Sequence, residues 1–155
     1  MSKEKILYAA GIIDADGYIG VVRSATMNGY RYFTPQVMVV NRDVRLMEWF
    51  KENFGGKFYL RKKRNDRVAD HYMWRAVSSV AFPLLVAIEP FLIVKKKQAQ
   101  LAIAFQERIY ANPVVRKGRP KDKRLVATEE LKAREDIYHK FKALNAKGVN
   151  YVQPV

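Results

Sequence analysis

From Ile6 to Ile13 this chain carries no charged residue, and the run ends in Asp14-Ala15-Asp16-Gly17. Leu7, Ala9 and Ala10 are good helix formers, so a first helix is expected over about residues 4–14, stopped by Asp16-Gly17. Along it Ile6, Ala10 and Ile13 share one side. Tyr8, Gly11, Ile12 and Ala15 fall on another, at i, i+3, i+4 and i+7. A helix apolar all round has to be covered twice, once by its own core and once by a partner. Gly11 and Ala15 are small and four apart, a spacing that lets a second helix backbone come close. Tyr8, Gly11, Ile12 and Ala15 are therefore expected at a dimer interface.

The acids of the same segment stand at the wrong end of the helix. The macrodipole disfavours negative charge at a C-terminus by roughly 0.3–1 kcal/mol per group. A hard divalent cation would offset this, because it takes carboxylate and carbonyl oxygens and a helix C-terminus has free carbonyls. An Asp-Gly pair alone is also the mark of a plain turn. An EF-hand loop is excluded, since the twelfth position from Asp14 is Ala25 rather than the bidentate Glu such a loop needs.

The 155 residues suit one domain with a core of its own, about 4–110, followed by a basic loop, about 111–127, and a C-terminal helix, about 128–146. With 29 Lys+Arg against 15 Asp+Glu the net charge is +14, which points to a polyanionic partner. There are no cysteines, so thiolate zinc sites, iron–sulfur clusters and disulfides are excluded, in keeping with an intracellular setting. The longest apolar stretch, Val80 to Val94, is broken by Pro83, Glu89 and Pro90 and reads as core rather than as a membrane span. The first residues do not read as a secretory signal.

Further along, Tyr18–Ser24 and Tyr32–Val40 alternate as strands around an Asn28-Gly29 turn. A second helix is expected over about 44–54, with Asp43 as N-cap and Gly55-Gly56 as its stop. Phe58–Lys63 and Tyr72–Val77 read as a second hairpin, followed by helices over about Val80–Ile88 and Lys95–Tyr110. The order is α-ββ-α-ββ-α, with a last helix from about Thr128 to Leu144.

Segment and order together resemble the LAGLIDADG homing endonuclease family, whose nine-residue signature aligns with Ala9-Ala10-Gly11-Ile12-Ile13-Asp14-Ala15-Asp16-Gly17; Ala9 and Ile12 stand where the signature has Leu. The resemblance covers at least Lys5 to Arg108 and implies an α+β fold with a curved antiparallel sheet. One motif implies the single-motif, homodimeric type, which makes magnesium-dependent double-strand breaks in long, partly palindromic DNA sites. It implies Asp16 and the Ala15 carbonyl as ligands of Mg2+, with Mn2+ as a substitute, and a structural or auxiliary role for Asp14. Asn41, Arg45 and Lys95 match the polar and cationic residues around the attacking water and scissile phosphate; Gln is common where Asn41 stands. An ion at such a site makes water a usable nucleophile near neutral pH, and cations stabilise the charge of the phosphorane. Family members are often intron-encoded and work in an organelle or the cytoplasm. Two other readings stay open: a catalytically inactive DNA-binding protein, or a maturase that assists splicing of intron RNA.

On the strands Ile19, Val21, Phe33, Val37, Val39, Phe58, Leu60, Tyr72, Trp74 and Ala76 form an apolar set suited to a core. The opposite set, Tyr18, Val22, Ser24, Tyr32, Thr34, Gln36, Met38, Tyr59, Arg61, Lys63, His71, Met73 and Arg75, mixes donors, acceptors and apolar groups. That mixture suits base edges in a major groove. Arg61 and Arg75 are candidates for guanine, and Arg31, Arg64 and Arg67 at the hairpin tips, with the Arg116–Arg124 loop, for phosphates. A dimer would span on the order of 16–22 base pairs.

Overall fold

The computed structural model describes residues 2–25, 31–62, 70–113, 115–116, 124–125 and 128–146. Helix α1 (Lys3–Asp16) leads into β1 (Tyr18–Ala25) and β2 (Arg31–Asn41), then α2 (Val44–Phe54), β3 (Lys57–Arg61) and β4 (His71–Val77). Helix α3 (Ser78–Ile88), a 3-10 turn (Glu89–Phe91) and α4 (Lys96–Ala111) follow. After a small ladder of β5 (Val115–Arg116) and β6 (Arg124–Leu125), α5 (Thr128–Leu144) closes the described chain. This is the expected α+β order, with α1 extending to take in both acids.

The element ends follow local chemistry. Asp43 caps α2, its carboxylate accepting from the Arg45 backbone N–H at 3.0 Å. Gly55 and Gly56 have φ of +72° and +80°, which strongly favours glycine, and a Cβ on Gly56 would lie 2.6 Å from the Arg75 carbonyl oxygen. That close approach brings β3 onto β4 and lets the Trp74 indole N–H donate to the Gly55 carbonyl at 2.8 Å.

The sheet is antiparallel throughout, in the order β1-β2-β4-β3. Its register lines up Ile19, Val37 and Ala76 in one row and Val39, Trp74 and Phe58 in the next. With Ala9, Ala10, Ile13, Met47, Phe50, Leu84, Leu85, Ile88, Ala102 and Phe105 from the helices these rows form one core. Two strand expectations are corrected. Leu60 is exposed, because β3 is an edge strand, whereas Phe58 and Tyr72 are half-buried and pack against the core as expected. Gln36, expected on the open face, is buried, and its Oε1 has no partner among the described residues. Its cross-strand neighbours are Gly20 and Val77, and Gly20 is itself covered: a Cβ there would lie 2.4 Å from the Tyr18 hydroxyl oxygen.

Helix α5 is bound to the rest by an ionic knot. Buried Glu130 accepts from Arg108 at 2.7 Å and from the equally buried Arg134 at 2.7 Å, and Arg134 also donates to the Asn112 carbonyl. Phe141 is buried, and Tyr138 packs on Phe33. The stretch expected as a basic loop contains the β5–β6 ladder, in which Val115 pairs with Leu125 and Arg116 with Arg124.

Candidate active site

The last turn of α1 holds its two acids in different states. Leu92, buried, anchors the chain after the 3-10 turn, and the next three backbone N–H groups point at one carboxylate. Asp14 accepts from Ile93 at 2.9 Å, Val94 at 3.0 Å and Lys95 at 2.8 Å. Burial pushes the Asp14 carboxyl up, but these N–H groups and the nearby Lys95 charge outweigh it and hold the pKa below its ordinary value. The carboxylate at an unfavourable helix end is thus balanced by a nest of amides. Asp16 is exposed, and its side chain has no hydrogen bond among the described residues.

Lys95 completes this corner. It stands at the N-cap of α4, and its ammonium donates to the Asp14 carbonyl at 2.5 Å and the Ala15 carbonyl at 3.2 Å. Burial lowers its pKa, against the attraction of Asp14 and Asp16. The helix end therefore already draws a cation onto its free carbonyls. Gly17 is required for the exit from this turn, since a Cβ there would sit 2.7 Å from Ile13 Cα.

Asn41 and Arg45 form a second group at the start of α2. The Asn41 side-chain oxygen accepts from the Asp43 N–H at 2.9 Å, and the Asp43 carboxylate holds the Arg45 guanidinium from both sides. The Arg45 guanidinium holds the Asp43 pKa down at about 2. Among the described residues no hydrogen bond joins this group to the Asp14–Lys95 corner. The fold thus brings together Ala15, Asp16 and Lys95, and keeps Asn41 and Arg45 as a unit of their own.

Among the described residues no three of His, Cys, Asp and Glu cluster as a metal cage. One chain offers the Asp16 carboxylate and the Ala15 carbonyl, both hard oxygen donors. Mg2+ is commonly held by one or two carboxylates with phosphate oxygens and water, so this donor set fits such an ion without a closed cage.

The α1 face expected to meet a partner is uncovered. Tyr8 is exposed and meets Trp49 edge-on at 4.8 Å, Ile12 is half-buried, and Ala15 is exposed. Among the described residues nothing lies within 4 Å of a Cβ placed on Gly11. Ile93 and Val94, 87% and 63% exposed, lie beside the end of this helix and enlarge the apolar surface.

The open face of the sheet carries a trough of about 620 Å³, lined by Val22, Ser24, Tyr32, Thr34, Lys57, Tyr59, Arg75 and Val77 among others. By register Tyr18 lies opposite Met38, which lies opposite Arg75; Tyr59 lies opposite Met73, and Arg61 opposite His71. The Tyr59 hydroxyl donates to the Met73 sulfur at 3.4 Å, and Arg61 lies over the Tyr59 ring. Arg31 is placed differently from a free tip cation: it pairs with Glu135 of α5 at 2.9 Å, as Arg23 does at 3.1 Å. Lys63, Arg64 and Arg67 lie outside the described residues, as does most of the Arg116–Arg124 loop. Sequence reasoning missed the Asp14 nest and Glu135, whose partners are 79 to 112 residues away. The Glu130–Arg134 pair was missed as well, although its i,i+4 spacing is a signal that could have found it.

No family model matches the chain, and no curated relative does. Solved structures do. The archaeal intron-encoded homing endonuclease I-Vdi141I, complexed with DNA, superposes with a TM-score of 0.72 at 16% identity, over 97% of this chain and 89% of that one. The homing endonuclease I-CvuI, bound to its target in the presence of calcium, gives 0.69 at 19% identity over 94% and 85%. I-TnaI, a further homing endonuclease, gives 0.66 at 16% over 93% and 90%. At such identities the likeness is one of fold.

Proposed function

We propose that this chain, which has the fold of the LAGLIDADG homing endonucleases, is a site-specific DNA endonuclease that acts as a homodimer with magnesium, cutting a long, partly palindromic site. The observation that carries the reading is the division of labour at the end of α1. Asp14 is consumed by the amides of Ile93, Val94 and Lys95, which leaves Asp16 exposed beside the Ala15 carbonyl and the Lys95 ammonium. Structural use of both acids would have left neither for chemistry.

The Asp16 carboxylate and Ala15 carbonyl would hold Mg2+, which when bound supplies charge for the scissile phosphate and acidifies water. Lys95 keeps a positive charge next to that position and is fixed there by its own backbone N–H on Asp14, so it is oriented before DNA arrives. Arg45, held by Asp43, presents a second cation from the neighbouring element. The uncovered face of Tyr8, Gly11, Ile12 and Ala15 supports pairing through α1, which would bring two Asp16 carboxylates close together and give one cut per chain. The mixed open face of the sheet and the net charge of +14 support a DNA substrate. Cleavage selection from a randomised DNA library with magnesium tests the reading. A specific cleaved sequence with approximate two-fold symmetry is expected; no cleavage of any member would overturn it.

A further inference from the structure

Lys95 is rooted at one helix end and places its charge on another. Its backbone N–H donates to the Asp14 carboxylate at 2.8 Å, which fixes the root at the N-cap of α4, the positive end of that helix. From there the side chain reaches across to the negative end of α1. Its ammonium donates to the Asp14 carbonyl at 2.5 Å and to the Ala15 carbonyl at 3.2 Å. The exposed Asp16 carboxylate takes no share in these hydrogen bonds. In the free chain the ammonium therefore sits on main-chain oxygens, and the Ala15 carbonyl is one of the two donors that the reading above gives to Mg2+.

Two cations cannot use that oxygen at full strength, because an ammonium fixed on it repels the ion that would share it. While Lys95 stays in place, the Asp16 carboxylate is the one donor of the proposed pair left to an ion. Moving the ammonium away breaks two hydrogen bonds made by a charged donor, so it needs another strong acceptor. A phosphate oxygen of a docked duplex is such an acceptor. Because the Asp14 carboxylate holds the Lys95 backbone, the transfer asks only the side chain to turn.

Resting on the nuclease reading above, we infer that Lys95 is an internal occupant of the ion site: its ammonium holds the Ala15 carbonyl in the free chain and releases it to the ion when a phosphate of the bound duplex takes the ammonium. The free chain then binds a divalent ion weakly, and the site opens only where DNA is already in place.

The test is made first without DNA, by titrating Mn2+ into the protein and following the free ion by electron paramagnetic resonance. Lys95→Met is expected to tighten Mn2+ binding about tenfold or more, the weight of one hydrogen bond from a charged group. Lys96→Met removes the same charge from the next residue, which donates to neither carbonyl, and should tighten it by at most about threefold. A second measurement uses the native chain, free of divalent ions, with a duplex selected by binding from a randomised library. The 1H–15N resonance of the Lys95 ammonium should shift as the duplex is added and gain a coupling to phosphorus. Equal tightening by the two substitutions, or an ammonium resonance unmoved by bound duplex, would overturn this inference and leave the nuclease reading standing. No Mn2+ bound by any form, Lys95→Met included, would overturn the ion site at Asp16 and this inference with it.

Discussion

Replacing Asp14 by Asn should unlatch the corner that carries Lys95. The native carboxylate accepts three successive backbone N–H groups, from Ile93, Val94 and Lys95, at 2.8 to 3.0 Å. Asparagine keeps one acceptor oxygen and turns an N–H2 toward donors, so at least one amide loses its partner. Hydrogen bonds to charged groups are worth ~1.5–3 kcal/mol each. Three share one half-buried group here, so the total loss should be about 2–4 kcal/mol rather than their sum. At about 2–4 °C per kcal/mol for a chain of this size, Tm should drop by roughly 4–16 °C. Calorimetry measures the drop, and hydrogen exchange at the amides of Ile93, Val94 and Lys95 should accelerate with it. Asp16→Asn is the control. That side chain has no hydrogen bond among the described residues, and relief from the helix dipole, about 0.3–1 kcal/mol, is opposed by the lost attraction to Lys95, so Tm should move by less than about 4 °C. An Asp14→Asn protein melting within about 1 °C of the native chain would refute the claim that Asp14 is a structural latch.

The pairing proposed through α1 predicts a dimer in sedimentation for the native chain and a monomer for Gly11→Trp, whose Tm should lose only its dependence on protein concentration, because among the described residues nothing lies within 4 Å of a Cβ at that position; a dimer that survives the change would place the interface elsewhere. Glu130→Ala should cost about 3–5 kcal/mol, since it leaves the buried Arg134 guanidinium unpaired. Burial raises the Glu130 carboxyl, but Arg108 and Arg134 outweigh it and hold the pKa below 4.5. The folded state then binds fewer protons than the unfolded one in the window between the two values. Its contribution is whole above about 4.5 and is lost as pH falls through the lowered value, so Glu130→Gln should flatten the stability–pH curve there while Tm at neutral pH falls. Gly56→Ala should destabilise by more than 1 kcal/mol in urea titration, because it meets both a φ of +80° and a contact of 2.6 Å to the Arg75 carbonyl oxygen. Unchanged stability would mean that β3 and β4 can separate at no cost.

What could be read from the sequence was what is local. The uncharged run from Ile6 to Ile13 specified a helix with two apolar faces, and the period-two pattern of Ile19, Val21, Val37, Val39, Trp74 and Ala76 specified the inner face of the sheet. The Asp43 cap and the Gly55-Gly56 stop follow from residue chemistry at fixed offsets. What escaped depends on partners distant in the chain. Whether Leu60 is covered depends on where β3 stands in the sheet, and β3 is at its edge. Gln36 is buried because of the residues opposite it, not because of its own polarity. Arg31 looked like a free cation until α5 supplied Glu135. The same holds at the candidate site. Two acids two residues apart look alike in sequence, and only the amides contributed by residues 93–95 tell Asp14 from Asp16.

The most direct measurement of the central claim compares the native chain and Asp16→Asn on one selected duplex, scoring binding by gel shift and strand cleavage with and without Mg2+. The native chain should cut both strands only with the ion, and Asp16→Asn should bind as tightly and cut neither. Magnesium-dependent cutting by Asp16→Asn, or cutting by the native chain with the ion removed, would contradict the account.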